Sequence, residues 1–204
     1  MIRVLLADDH EIVRDGLKRI LAATTDVRVA GEAASGDEAL ALIKANDYDV
    51  ALLDMSMPGL SGIDLIKRLR IEKPGVKLLI LSMHGEHQYA ARALKAGASG
   101  YLTKDSAAEK LLGALRKVAA GGVHVSDATA ASLVATVRAP HQKLTDREFE
   151  VLRLLAGGHS PTEIAARLHL SVKTVSTHKA NVQGKLGLAG TADLVRYALE
   201  HKLI

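Results

Sequence analysis

The chain contains no cysteine among its 204 residues. Disulfides and thiolate metal sites are therefore excluded, although that absence does not decide the compartment. It also lacks any stretch approaching the ~18 uncharged apolar residues of a membrane-spanning helix. The apolar run from Ile2 to Ala7 stops at Asp8-Asp9, too short and too acidic at its end for a signal peptide. A cytoplasmic protein with no membrane association is expected. No repeat of fixed period is present. One further absence is local: Ile164 to Ala192 holds Arg167, Lys173, Lys179 and Lys185 but no acidic residue. Residues 1–120, with 17 basic and 16 acidic side chains, are nearly neutral, whereas residues 141–204 hold nine and six. A polyanion partner for the C-terminal part fits this balance, and a solvated basic face fits it about as well.

What is present is enough for real cores: 48% of the residues are hydrophobic. Over the first 120 residues short apolar runs alternate with helical patterns. Strands are expected at Arg3–Ala7, Val27–Glu32, Val50–Leu53, Lys77–Leu81 and Gly100–Thr103, and helices near Glu11–Ala22, Asp37–Ala45, Ile63–Glu72, Glu86–Ala96 and Ala107–Ala120. Ser35 with Glu38, and Ser106 with Glu109, have capping-box spacing. Gly97 sits where a helix would end in a left-handed residue. Five such βα units predict a doubly wound five-stranded parallel α/β sheet, in which ligands bind beyond the carboxyl ends of the strands. After Gly121-Gly122 the strand-like runs stop. A linker over residues 121–143, with a short helix expected at Asp127–Val137, precedes an all-helical pattern over residues 144–204. There Thr145 with Glu148, and Ser160-Pro161-Thr162-Glu163, are capping-box starts, the second with proline in the first turn.

The strand ends concentrate chemistry. Asp8 and Asp9 follow the first strand and Asp54 ends the third, so three carboxylates share one edge. Crowded like charges are costly unless one protonates or a cation neutralises them. No histidine or cysteine is expected to accompany them, and all-oxygen ligation suits Mg²⁺ or Mn²⁺. Ser82 and Lys104, after the fourth and fifth strands, bring a hydroxyl and an ammonium to the same edge. This set suits a transferring phosphoryl group, with an aspartate itself as nucleophile. His84 and His87, three apart in a loop, are read as solvated because nothing else completes a metal site.

Through LLADDH, LLDMSMPGLSG, ILSMH and GYLTKD, residues 1–120 resemble a response-regulator receiver. The resemblance implies that Asp54 is the phosphoacceptor, that Asp9 ligates Mg²⁺ with help from Asp8, and that the Ser56 backbone carbonyl adds a ligand. Ser82 and Tyr101 match the switch hydroxyl and switch aromatic. Asp105 stands where many receivers have proline, so a cis Lys104–Asp105 bond would be a non-proline cis peptide costing ~3 kcal/mol.

Residues 144–204 resemble the LuxR-type helix-turn-helix domain through LTDREFEVLRLLAGGHS, PTEIAARLHLS and VKTVSTHKANVQGKLGL, and the pairing with a receiver resembles the NarL/FixJ type. The periodicity agrees: Ile164, Ala165 and Leu168 give the first helix of the motif an inner face, Leu170 closes the turn, and Val175, Val182 and Leu186 line the next helix. Lys173, Ser176, Thr177, Ala180 and Gly184 then point away from the core. Lys173, Lys179 and Lys185 are expected at phosphates, and Thr174, Ser176, Thr177, His178, Ala180 and Asn181 at or beside base edges. No strong bidentate base reader such as arginine or glutamine is among them. The last helix carries Leu194, Val195, Ala198 and Leu199, a stripe that the resemblance assigns to dimerisation and that core packing also explains. The resemblance implies a phosphorylation-controlled transcription regulator with a sensor histidine kinase, promoter DNA, RNA polymerase and a second copy of itself as partners, and no enzymatic activity beyond its own phosphoryl transfer and dephosphorylation. The competing readings are a Mg²⁺-dependent phosphohydrolase with Asp54 as nucleophile, and a protein-binding regulator that does not bind DNA.

Overall fold

The computed structural model describes residues 1–60, 62–82, 87–126, 130, 140–201 and 203–204. In it the chain divides into two compact units, Met1–Ala130 and Ala131–Ile204.

In the first unit, strands and helices alternate as β1 (Ile2–Ala7), α1 (Glu11–Ala22), β2 (Val27–Ala33), α2 (Gly36–Ala45), β3 (Val50–Asp54), α3 (Gly62–Glu72), β4 (Lys77–Ser82), α4 (His87–Lys95), β5 (Gly100–Thr103) and α5 (Ala107–Ala119). All strand pairings are parallel, in the order β2-β1-β3-β4-β5. Every residue of β3 is buried, as a strand covered on both faces requires. On one face Leu17 and Leu21 of α1 join Leu111, Ala114, Leu115 and Val118 of α5 against Val4, Leu6, Val50, Leu52, Leu79 and Leu102. The β3–β4 register sets Asp54 beside Leu81, and the β4–β5 register sets Ser82 beside Thr103, so the functional strand ends lie level.

The strand-to-helix turns follow local chemistry. Ser35 Oγ accepts the Glu38 N–H, and Glu38 in turn accepts the Ala34 N–H, satisfying amides at the start of α2. Gly97 adopts φ +111° after α4, and Arg70 of α3 fixes that turn by donating to the Gly97 carbonyl at 2.6 Å. The Lys104–Asp105 bond is trans, since no cis peptide occurs among the described residues. Beyond α5 the chain returns to the sheet. The His124 N–H donates to the Ser99 carbonyl and its carbonyl accepts the Tyr101 N–H, at 3.1 and 2.8 Å, forming a parallel bridge at the outer edge of β5. The close approach needs Gly100, where a Cβ would lie 2.9 Å from the His124 carbonyl oxygen. The helix expected at Asp127–Val137 falls, apart from Ala130, outside the described residues, as do His84 and the side chains of His87 and of the Ser106–Glu109 capping pair.

The second unit is helical: a 3₁₀ turn at Pro140–Lys143, then α6 (Asp146–Ala156), α7 (Pro161–Leu168), α8 (Val172–Leu186) and α9 (Thr191–Glu200). Both expected capping boxes are complete, from Thr145 with Glu148 and from Ser160 with Glu163, and Pro161 opens α7. Phe149, Leu152, Ile164, Val175, Val182, Leu194 and Ala198 form its core. His141 is also buried there, its Nδ1 3.0 Å from the Tyr197 hydroxyl. In α9, Leu194 and Ala198 therefore serve the core, while Leu199 is exposed.

Candidate functional site

Parallel pairing places the ends of β1, β3, β4 and β5 along one edge of the sheet, and each delivers one polar side chain. Asp8, Asp54 and Ser82 are buried. Lys104 lies between the two aspartates, with Nζ 2.6 Å from Asp8 Oδ2 and 3.2 Å from Asp54 Oδ2, and its side chain is only 8% exposed. Burial pushes the Asp54 carboxyl above its usual range; the Lys104 charge opposes this, and the charges of Asp8 and Asp9 reinforce it. Burial alone would lower Lys104, but hydrogen bonds and charge from Asp8 and Asp54 outweigh it and hold the ammonium firmly protonated. An anionic nucleophile poorly compensated by water, beside a fixed cation, is suited to an incoming phosphoryl group. Tyr101 is buried on β5, and Ser56 is exposed in the turn after β3.

His10 was not anticipated among the donors. It occupies the N-cap of α1, its backbone N–H donates to Asp8 Oδ1 at 2.9 Å, and its ring Nδ1 lies 3.2 Å from Asp8 Oδ1 and 2.9 Å from Asp9 Oδ1. The ring stands beside the expected carboxylates: Asp8, Asp9, His10 and Asp54 each offer one atom that could face a cation, all within 4.8 Å of one another. The sequence signal was the triplet Asp8-Asp9-His10 itself. What it does not display is the turn that folds the ring back over the two carboxylates.

In the second unit, Lys173, Ser176, Thr177, Ala180 and Asn181 are exposed on α8, and Thr174, His178 and Lys179 are half-buried. Ser171 caps the helix by accepting the Thr174 N–H. The hydroxyls of Ser176 and Thr177 donate to the carbonyls of Val172 and Lys173, both at 3.0 Å. With the proton so engaged, each oxygen retains acceptor capacity. Two of the expected phosphate lysines are engaged within the domain. Lys179 Nζ lies 2.7 Å from Thr191 Oγ1. Lys185 Nζ lies 2.6 Å from Oε2 of Glu148, a carboxylate only 4% exposed.

A doubly wound sheet with this acidic edge, joined to a capped helix-turn-helix unit, defines a receiver-bearing DNA-binding transcription regulator. Residues 4–116 match the response regulator receiver domain family, and residues 142–198 match the bacterial regulatory proteins of the luxR family. The response regulator UvrY of Escherichia coli is 34% identical, covering 100% of this chain and 96% of its own length. The oxygen regulatory protein NreC of Staphylococcus aureus is 38% identical, with 99% of each chain covered. The structure of RcsB from Salmonella enterica serovar Typhimurium, bound to promoter rprA with the phosphomimetic BeF3⁻, superposes with a TM-score of 0.68 at 30% identity, covering 96% of this chain and 97% of RcsB. The chain belongs to the NarL/FixJ-type two-component response regulators. No helix among its described residues is long and apolar enough to cross a membrane.

Proposed function

We propose that Asp54 accepts a phosphoryl group from a phosphohistidine of a sensor kinase, and that this controls promoter binding by the second unit. The observation that carries the reading is Lys104 buried between Asp8 and Asp54 at the end of the sheet. A carboxylate oxygen of Asp54 attacks phosphorus, the P–N bond to the donor imidazole breaks, and its electron pair stays on nitrogen. Lys104 shifts from the carboxylates to a phosphoryl oxygen, and the Ser82 hydroxyl donates to another. Asp8, Asp9, Asp54 and the Ser56 carbonyl would hold Mg²⁺ or Mn²⁺; the crowding of carboxylates within one ion's reach supports this. Such a cation neutralises charge on the phosphoryl oxygens. The same groups support hydrolysis of the acyl phosphate by the receiver itself. Tyr101 follows Ser82 as the aromatic half of the switch.

In this reading residues 1–120 are the receiver and 144–204 the DNA-binding domain of a cytoplasmic protein; of the linker 121–143, His124 packs back on the receiver sheet and the Pro140–Lys143 turn belongs with the helical unit. Helix α8 enters the major groove: Lys173 and Lys179 approach phosphates, while Thr174, Ser176, Thr177, His178, Ala180 and Asn181 lie along the bases. With their protons donated within the helix, the exposed Ser176 and Thr177 hydroxyls have acceptor capacity left, which suits the amino groups of adenine or cytosine. Lys185 is assigned to a phosphate with Lys173 and Lys179, and its ion pair with Glu148 also serves the fold. Exposed Leu199 supports pairing of two copies on adjacent half-sites, where RNA polymerase is engaged. The test is phosphorylation by a small phosphodonor with Mg²⁺, followed by mass spectrometry and titration of promoter DNA. One phosphoryl group per chain and tighter DNA binding are expected; no incorporation overturns the reading.

A further inference from the structure

We propose that Asp37 of α2 is a positioning residue for the phosphorylation site: its carboxylate holds the loop that follows Asp54, and so sets the Ser56 carbonyl for the divalent cation. The inference rests on the cation-site reading of Asp8, Asp9, Asp54 and Ser56 given above.

A carbonyl ligand has no side chain to adjust, so it is placed only as well as the loop that carries it. Residues 55–60 follow β3. The first part of this loop is pinned by the sheet and the core. The Met55 N–H donates to the Leu81 carbonyl at 3.2 Å, and Met55 and Met57 are buried on either side of exposed Ser56. The far part has no strand beside it and rests on the first turn of α2. The Gly36 N–H donates to the Pro58 carbonyl at 3.3 Å, and Asp37 Oδ2 accepts the Leu60 N–H at 3.2 Å. These two bonds bracket Gly59, which takes φ +78°. The approach is close enough that a Cβ on Gly36 would overlap the Leu60 carbonyl, and one on Gly59 would overlap the Asp37 carboxylate. The Ser56 carbonyl thus lies in a short segment fixed at both ends.

The start of α2 does not need Asp37 as a cap. Ser35 accepts the Glu38 N–H and Glu38 accepts the Ala34 N–H, so the capping box is supplied without it. The Asp37 carboxylate is turned instead to a backbone amide 23 positions away. Asp37 is exposed, so its replacement leaves the core untouched. A negative charge in the first turn also favours the helix through its dipole. Alanine and asparagine both lose that charge, but only alanine loses the oxygen that accepts the Leu60 N–H. The pair of variants therefore separates the hold on the loop from any effect of charge or of the helix.

The experiment titrates the full-length protein with Mg²⁺, reads the affinity from backbone amide NMR shifts, and follows the cation-free melting temperature alongside. Asp37→Ala is expected to weaken Mg²⁺ binding on the order of tenfold, the scale on which metal sites respond to loss of a supporting group. Asp37→Asn is expected to bind nearly as the wild type does. Gly36→Ala pushes the same loop away by its bulk and is expected to weaken Mg²⁺ as well. Unchanged affinity in Asp37→Ala or in Gly36→Ala, even with a lowered melting temperature, overturns the proposal. Equal weakening in Asp37→Ala and Asp37→Asn also overturns it, because charge rather than the bond to Leu60 would then be responsible. Asp9→Asn tests the cation site itself. If it weakens Mg²⁺ binding while Asp37→Ala does not, the cation site stands and only the role of Asp37 is wrong. If the wild type binds no Mg²⁺, or Asp9→Asn leaves binding unchanged, the cation site and the inference fall together.

Discussion

At the scale of single residues, the acidic edge is held in a state that costs energy. Asp54 is buried with its carboxyl pushed above the usual range, first by burial and then by the charges of Asp8 and Asp9 against that of Lys104. An aspartate whose folded value is raised destabilises the fold as pH rises above its ordinary value near 3.8, because the unfolded chain ionises more readily. Asp54→Asn should therefore do two opposite things. It abolishes phosphate incorporation from small phosphodonors, since an amide is a poor nucleophile. In the absence of divalent cations at neutral pH it also raises the melting temperature by a few degrees, a change of about 1 kcal/mol. Undiminished acid-stable, base-labile phosphate in the variant would remove Asp54 as acceptor. An unchanged or lower melting temperature would mean that Lys104 fully compensates the charge. The residues of this edge were legible in the sequence because parallel strands put their ends together: apolar runs closing on Asp8-Asp9, Asp54, Ser82 and Lys104 need no knowledge of side-chain placement. His10 was not legible, because its place depends on the N-cap turn, one torsion at a time.

Elements carry the next layer. The periodic faces of α6 to α9 and both capping boxes could be read directly, but the partners of the lysines could not. Glu148 and Lys185 are 37 positions apart, and only the packing of α8 on α6 brings them together. Burial would raise the Glu148 carboxyl, yet the Lys185 ammonium and the Thr145 N–H outweigh it and hold it below its ordinary 4.5. That stability is complete above pH 4.5 and is lost as pH falls through the lowered folded value. Lys185→Ala should destabilise the DNA-binding unit by about 1–3 kcal/mol at neutral pH, the scale of a hydrogen bond to a charged group. It should also weaken the acid dependence below pH 4.5. Lys173→Ala should instead leave stability unchanged while flattening the logarithmic salt slope of DNA binding by about 0.9. If Lys173→Ala leaves that slope unchanged, its assignment to a phosphate is wrong. Gly184 gives an independent check on α8. An added Cβ there meets nothing within 4 Å, so Gly184→Ala should stabilise the unit by about 0.5–1 kcal/mol in thermal unfolding; a loss of stability would point to a strained backbone at that turn.

For the whole molecule, the question is how a phosphoryl group on the first unit reaches the second. Two units with separate cores behave as a switch only if the receiver restrains the DNA-binding unit or pairs it with another copy. A fragment testing this should begin at Pro140, because His141 is part of the helical core against Tyr197. The fragment is expected to bind promoter DNA at least as well as the unphosphorylated full-length protein, and phosphorylation to strengthen only the latter. Full-length protein that binds markedly better than the fragment without phosphate would make the receiver a constitutive pairing module instead. The return of the chain to β5 was invisible in the sequence, since Gly-Val-His-Val carries no turn or strand signature that distinguishes it from linker. Yet the Ser99 carbonyl and the Tyr101 N–H both already have His124 as partner. An unpaired strand edge is a template on which neighbouring molecules fuse their sheets. The pairing with His124 covers the Ser99–Tyr101 stretch of that edge and denies a neighbouring chain that route.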